Sequence, residues 1–149
     1  TEPGIYDPPG FQVEDCSTQR NLSEVGRENA RAAGERLRRE NIEFALIRTS
    51  AWCRCRDTAS EMNVGPFENW EPLNGVFGEH AGFSEVRTAG MREFIRTWRN
   101  PGSVLFVTHG SNITALSGRT LAQGEALIIR LGELRDGSPL VLGSLRLSE

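Results

Sequence analysis

Short apolar segments alternate with helical patterns along most of the chain. Residues 44–47 (Phe-Ala-Leu-Ile) and 104–107 (Val-Leu-Phe-Val) are continuous apolar runs with the length and composition of buried strands. Each run leads through a polar turn into a helical pattern, over about residues 53–62 after the first and 113–118 after the second. A strand that feeds a helix in this way is a βα unit, so the pattern predicts an α/β fold with a mostly parallel sheet flanked by helices.

Two longer helices and a hairpin complete the predicted elements. Ser23 is a good N-cap for a first helix, and the helical period places four residues on one face: Val25, Asn29, Ala33 and Leu37. A second helix is predicted over residues 84–99, where Asn100-Pro101-Gly102 stops it. Residues 125–131 and 140–147 are predicted strands, and the turn at residues 135–138 between them indicates a closing antiparallel hairpin.

Two segments are predicted to lack regular structure. Residues 1–21 are rich in proline, glycine, aspartate and serine and are typical of an irregular loop. The apolar side chains in it, Ile5, Tyr6, Phe11 and Val13, favour an ordered loop that packs on the rest of the chain. Residues 63–83 carry many turn signals and are predicted to be mainly loop, with room for one short strand.

Length and composition limit the classes of protein to consider. The chain has 149 residues and a mass of 16.5 kDa, which predicts one domain over residues 1–149. Hydrophobic residues make up 38% and charged residues 25%, a balance that excludes disordered and coiled-coil classes. Because the net charge is −3 and no apolar run approaches the roughly 20 residues that span a bilayer, we expect neither nucleic-acid nor membrane partners.

The basic residues are all arginine. The 17 Lys+Arg residues include no lysine, so chemistry that needs a lysine Schiff base or a phosphate-loop lysine is excluded. Forked guanidinium groups that clamp anions remain available. A local arginine cluster can therefore form a positive pocket even in an acidic protein.

The three cysteines do not form a recognisable framework. Cys16, Cys53 and Cys55 lack the paired spacing of zinc ligands, and ordinary thiols are the favoured interpretation. A bridge from Cys16 to Cys53 or to Cys55 is the alternative in an oxidising compartment, and the sequence does not name the compartment. A cysteine-based metal or redox site is a third and weaker hypothesis.

The candidate chemistry lies where the two predicted parallel strands end. Residues 50–59 and 107–112 both form strand-to-helix turns, the place where ligands bind in open α/β sheets. His109 lies in the second turn beside a glycine and a helix amino terminus, a position suited to an anion. In the first turn Arg54 and Arg56 are two residues apart, so they should point in different directions and serve different purposes.

Three segments together resemble the histidine phosphatase superfamily, which includes the phosphoglycerate mutases. The segments, in chain order, are Asp15-Cys16-Ser17-Thr18-Gln19-Arg20-Asn21-Leu22-Ser23-Glu24-x-Gly26-Arg27, Ser50-x-x-x-Arg54-x-x-x-Thr58-Ala59 and Val107-Thr108-His109-Gly110. Each is only moderately specific, but their shared order and intervals make coincidence a poor explanation.

The resemblance implies a phosphoglycerate mutase-like fold, an activity and a set of roles. It makes Arg54 the arginine that clamps phosphate and His109 the second active-site histidine. It places Thr1, Arg20, Asn21 and Gly110 on the phosphate or substrate side of the site. The implied activity is hydrolysis of a phosphomonoester or a phosphohistidine through a phosphohistidine intermediate, without metal or other cofactor, so the expected partner is a phosphorylated small molecule or phosphoprotein.

The resemblance also implies a nucleophile that residues 1–149 do not contain. In the family this histidine belongs to an Arg-His-Gly-type motif at the end of the first strand, commonly followed by Thr-Glu, and this sequence starts with Thr1-Glu2. We therefore expect the motif and its strand to precede Thr1. The alternative is a non-catalytic module that keeps the anion pocket.

The proton donor is the second departure from the family pattern. Many members use an acidic residue from the middle of the chain, and Glu79 is the nearby candidate here, with an ordinary solvated glutamate as the alternative. His80 is the other histidine of the sequence, and we do not expect it to act as the nucleophile.

Overall fold

The computed structural model describes residues 1–148 and has an α/β architecture. Its helices are α1 (Glu24–Arg39), α2 (Cys53–Met62), α3 (Ser84–Thr97) and α4 (Gly110–Ser117). Its strands are β1 (Phe44–Thr49), β2 (Glu68–Asn69), β3 (Ser103–Val107), β4 (Glu125–Arg135) and β5 (Ser138–Arg146). Short 3-10 helices occupy Cys16–Thr18, Glu71–Leu73 and Gly78–Phe83. Within residues 1–148, no helix combines the length and the apolar character needed to cross a bilayer.

The strands form a parallel sheet and a separate hairpin. The sheet has the order β2-β1-β3 with parallel pairing throughout, and β4 pairs with β5 in antiparallel fashion. The predicted α/β fold with a mostly parallel sheet is confirmed, and β2 is the short strand for which residues 63–83 had room. Because parallel strands end at the same edge of the sheet, β1 and β3 deliver their following turns to one place.

The core lies on the two sides of the parallel sheet. Helices α1 and α2 share one cluster, formed by Ala30, Ala33, Leu37 and Met62. A Cβ atom at Gly34 would collide with the backbone of Met62, so this glycine permits the close approach of the two helices. A second cluster, formed by Leu73, Met91, Ile95 and Leu116, lies under α3 and α4.

The buried face of α1 differs from the predicted one. Ser23 caps the helix as predicted, since its hydroxyl accepts from the Gly26 amide at 3.1 Å. Val25, however, is 64% exposed, and the buried face begins further along, at Ala30.

The loop over residues 1–21 is ordered and is fastened to α2 by a disulfide bond. Cys16 and Cys53 are bridged, with their Cα atoms 5.7 Å apart, whereas Cys55 is a free, buried thiol. The favoured interpretation of ordinary thiols is therefore wrong for Cys16 and Cys53, and a metal site built from all three thiols does not describe the structure. The bridge is one of the two alternatives that the sequence left open, and the sequence could not choose between Cys53 and Cys55 because the path of the loop decides which thiol Cys16 meets.

Reduction of this disulfide should destabilise the protein. The bridge closes a span of 37 residues, for which chain entropy gives roughly 3–4 kcal/mol of stabilisation. We expect a dithiol reductant to lower the free energy of unfolding in urea by about this amount. A variant with both Cys16→Ser and Cys53→Ser should show the lower stability without reductant and no response to it. Equal stability after complete reduction, verified by thiol titration, would contradict the prediction.

Candidate functional site

Two strand-to-helix turns meet at the carboxyl edge of the parallel sheet. Thr49 of β1 is the register partner of Val107 of β3, and the Ser50 amide donates to the Val107 carbonyl at 2.9 Å. The segment after β2 fastens the second turn, because the Thr108 hydroxyl donates to the Leu73 carbonyl at 2.7 Å. The residues that follow β1 and β3 are thereby held side by side.

Arg54 and His109 face each other at this edge. Arg54 lies in the first turn of α2 and His109 is the residue just before α4, and each residue is less than one-tenth exposed. The Arg54 Nη2 atom lies 3.5 Å from the His109 Nδ1 atom. Arg56, two positions further along α2, is exposed to solvent, so the prediction that the two arginines point in different directions is confirmed.

The imidazole of His109 is held by a hydroxyl and two aromatic rings. Its Nε2 atom lies 2.8 Å from the Ser50 hydroxyl, and the rings of Trp52 and Phe77 contact it edge-on, each with its centroid 5.3 Å away. Burial, aided by the charge of Arg54, lowers the pKa of His109 to about 3. The ring is therefore neutral near pH 7. When the Ser50 hydroxyl donates to Nε2, the proton of the imidazole lies on Nδ1, on the side of Arg54.

A buried carboxylate from the loop holds the other side of Arg54. The Asp7 side chain is 1% exposed and accepts from Arg54 Nη1 at 2.7 Å and from Nη2 at 3.4 Å. The Arg20 amide at 3.0 Å and the Trp52 indole N–H at 3.2 Å donate to the same carboxylate. Burial alone would raise the pKa of Asp7, but the hydrogen bonds from Arg54 and the other donors outweigh it, and the pKa is lowered.

The neutral state of His109 has a consequence for stability. Below pH 6.5 the unfolded chain binds a proton at this residue that the folded protein does not bind until about pH 3. The free energy of unfolding should therefore fall between pH 6.5 and pH 4, by up to about 1.4 kcal/mol per pH unit from this residue. Urea unfolding at several pH values should show a shallower dependence for His109→Gln, with His80→Gln as the matched control. Equal slopes for the parent and His109→Gln would contradict the buried neutral imidazole.

Three residues predicted for the substrate side lie in or beside the loop. The Arg20 guanidinium donates from Nη1 to the Thr1 hydroxyl at 2.6 Å and to the Gly4 carbonyl at 2.8 Å. Asn21 donates its side-chain amide to the Cys16 carbonyl at 2.7 Å. In this structure Arg20 and Asn21 therefore organise the loop, and the Arg20 backbone reaches the site through Asp7 and Arg54.

The remaining predicted residues lie around the pair. Gly110 is the first residue of α4, directly after His109. Glu79 is exposed and lines a cavity of about 140 Å³ together with Asp7 and Phe77. His80 packs its ring against Trp52, with centroids 5.0 Å apart, and Trp52 also contacts His109.

Sequence reasoning did not single out Asp7, Ser50 or Trp52 as site residues. Asp7 belongs to Asp7-Pro8-Pro9-Gly10, a combination that indicates a turn whatever its carboxylate contacts. Asp7 could have been found from the charge of Arg54, because a buried arginine needs a buried acidic partner. Among residues 1–148 no group of three or more His, Cys, Asp or Glu side chains is placed to hold a metal ion.

Comparisons with known proteins agree with this architecture. The model of the Histidine phosphatase superfamily (branch 1) matches residues 15–122. The fold is similar to that of Bacillus stearothermophilus YhfR, at 20% identity over 92% of each chain with a TM-score of 0.61. It is also similar to Rv3214 from Mycobacterium tuberculosis, at 17% identity over 83% of each chain with a TM-score of 0.61. The comparison with curated proteins gave no match.

Proposed function

The chain belongs to the histidine phosphatase superfamily, and from this premise we propose that the protein is a phosphatase that hydrolyses a phosphomonoester or a phosphohistidine. The observation that supports this most strongly is the approach of Arg54 Nη2 to His109 Nδ1 at 3.5 Å, with both side chains buried at the carboxyl edge of the sheet. A guanidinium and an imidazole so placed can donate hydrogen bonds to one anion.

The chemistry of phosphoryl transfer suits this pair. In the transition state, negative charge spreads over the equatorial oxygens of the phosphoryl group. Arg54 supplies a permanent positive charge, and the neutral imidazole of His109 supplies one N–H donor. Because both groups are fixed before the substrate arrives and are largely shielded from water, their stabilisation of that charge is strong. These two groups need no metal ion for this purpose.

The proposed reaction has two displacements at phosphorus. A histidine nitrogen attacks phosphorus and forms a P–N bond while the P–O bond to the leaving group breaks, and the leaving oxygen takes a proton from an acid. Water then attacks phosphorus, the P–N bond breaks, and orthophosphate is released with return of the proton. We assign the acid to Glu79, whose exposed carboxyl group lies beside the cavity next to Asp7.

The nucleophilic histidine would lie on a strand outside residues 1–149. Within the described residues, the edge of β3 away from β1 pairs with no strand. A cavity of about 520 Å³ lies between the turn that precedes β3 and the middle of β4, lined in part by Gly102 and Leu131. A strand added at this edge, parallel to β3, would end at the carboxyl edge of the sheet, the edge at which Arg54 and His109 lie.

We assign supporting roles to four more residues. Arg20 adds a guanidinium beside Thr1, at 2.6 Å from its hydroxyl, and we assign Thr1 and Asn21 to the substrate side with it. Gly110 contributes a free backbone N–H at the start of α4, where the partial positive charge of a helix favours an anion. The substrate is a phosphorylated small molecule or a phosphoprotein.

A non-catalytic phosphate-binding module is the second candidate. It is favoured by one observation: the histidines of residues 1–149 are His80 and His109, and the ring of His109 is buried with Nε2 against the Ser50 hydroxyl and Nδ1 facing the Arg54 guanidinium. His109 is therefore placed to hold an anion rather than to attack it. The same anion pocket would then bind a phosphorylated ligand and release it unchanged.

Turnover and trapping separate the two candidates. The protein would be produced with its upstream coding segment and tested for hydrolysis of p-nitrophenyl phosphate in the presence of a chelator. We expect turnover and a phosphoenzyme that is labile to acid and stable to base, as a phosphohistidine is. Orthophosphate binding without turnover or phosphoenzyme would establish the binding module instead. Absence of both activities would refute the anion pocket itself.

A further inference from the structure

The Asp7 carboxylate is more deeply buried than the Arg54 guanidinium that it contacts. Its side chain is 1% exposed, whereas that of Arg54 is 10% exposed. An ionised carboxylate is costly to bury unless donors surround it. Asp7 has three of them, namely the Arg54 guanidinium, the Arg20 amide and the Trp52 indole N–H. The carboxylate is therefore held by donors of the protein itself.

The two terminal nitrogens of the Arg54 guanidinium, Nη1 and Nη2, have different partners. Nη1 of Arg54 donates to Asp7 at 2.7 Å and to the Arg20 carbonyl at 3.3 Å. Nη2 makes only a long contact of 3.4 Å with Asp7 and lies 3.5 Å from His109. Nη1 is therefore committed to the loop, and Nη2 is left to face the imidazole.

The ring of Phe77 limits the remaining freedom of Arg54. The Arg54 Cζ atom lies 5.6 Å from the centroid of Phe77, over the ring. An aromatic face attracts a guanidinium and restricts its movement away from the ring plane. The side chain is thus held from one side by Asp7 and from another by Phe77, while its Nη2 end points toward His109.

We propose that Asp7 is a positioning residue that fixes the Arg54 guanidinium with Nη2 directed at the phosphate position beside His109. The proposal goes beyond the proposed function, and its effect on turnover rests on that function. Asp7 does not touch the substrate and acts through Arg54. The Cys16–Cys53 bridge joins the loop that carries Asp7 to the first residue of α2, next to Arg54.

The matched variants are Asp7→Asn and Asp15→Asn. Asparagine keeps the shape of Asp7 but removes the charge and turns a donor toward Trp52 or Arg54. Asp15 belongs to the same loop, where its carboxylate accepts from the Ser17 amide and hydroxyl away from Arg54. Asp15→Asn therefore controls for a general loosening of the loop.

The first measurement determines kcat and KM separately for the hydrolysis of p-nitrophenyl phosphate, on protein made with its upstream coding segment. For Asp7→Asn we expect kcat to fall at least tenfold while KM changes less than threefold, because Arg54 keeps its charge and loses its orientation. Asp15→Asn should retain both constants. An unchanged kcat would show that Asp7 serves stability alone, and a higher kcat would show that it blocks the pocket; either result overturns the proposal.

The second measurement does not depend on turnover. The test uses nitrogen-15 NMR spectra of the 149-residue chain. If Asp7 fixes the Arg54 guanidinium, the Nη1 and Nη2 protons of Arg54 should give separate signals. These signals should merge in Asp7→Asn, where the guanidinium rotates faster, and stay separate in Asp15→Asn. Separate signals in Asp7→Asn would overturn the positioning role. If the parent protein fails to hydrolyse p-nitrophenyl phosphate, the proposed function fails, and these signals still decide whether Asp7 positions Arg54.

Discussion

Replacement of His109 by alanine should reduce the turnover of p-nitrophenyl phosphate by at least 10²-fold. The imidazole is the group that faces Arg54 across 3.5 Å, and the loss of one fixed donor to transition-state charge costs about this factor. The effect should fall on kcat more than on KM, since Arg54 remains to bind the phosphoryl group. Steady-state kinetics on purified, folded variant protein would measure it.

His80→Ala is the control for this prediction. It also removes an imidazole that packs against Trp52, but it leaves His109 and Arg54 in place. We expect its kcat to stay within about threefold of the parent value. Near-parental turnover of His109→Ala would remove His109 from the site, and an equal loss in His80→Ala would trace the effect to the packing around Trp52.

Replacement of Arg54 by leucine should lower the free energy of unfolding by about 3–5 kcal/mol. The variant leaves the Asp7 carboxylate buried, at 1% exposure, with only neutral donors from Arg20 and Trp52. A buried charge without its counter-ion is the costly outcome, so a second change, Asp7→Asn, should recover part of the loss in the Arg54→Leu background. Urea unfolding at pH 7 would measure all the variants.

Arg56→Leu provides the matched control for the loss of an arginine. Arg56 is exposed on the same helix, and its replacement should change the free energy of unfolding by less than about 0.5 kcal/mol. A loss below about 1 kcal/mol for Arg54→Leu would contradict the buried pair. Independent effects of Arg54→Leu and Asp7→Asn, with no recovery in the double variant, would contradict their contact.

The elements of this fold could be predicted because their signals are local. The apolar run at residues 44–47 lies inside β1, the polar turn after it leads into α2 at the predicted bounds, and Ser23 caps α1 as expected. Such features depend on residues within one or two helical turns of each other. The meeting of Arg54 with His109 could also be anticipated, since parallel strands end at a common edge.

The contacts made by the loop could not be predicted in the same way. Asp7 reaches Arg54 across 47 positions, and Cys16 reaches Cys53 across 37, through a segment whose path has no periodic signal. Val25 shows a related limit: helical spacing identifies a face but not how much of that face a neighbouring helix covers. The long-range contacts of an irregular segment depend on how the whole chain packs, and no local pattern in a single sequence reveals them.

A crystal structure of the protein with orthophosphate tests the central claim most directly. We predict phosphate oxygens at hydrogen-bond distance, about 3 Å, from both Arg54 Nη2 and His109 Nδ1, with Asp7 still bound to Arg54 Nη1. Phosphate bound elsewhere, or bound to one of the two side chains with the other turned away, would contradict the account.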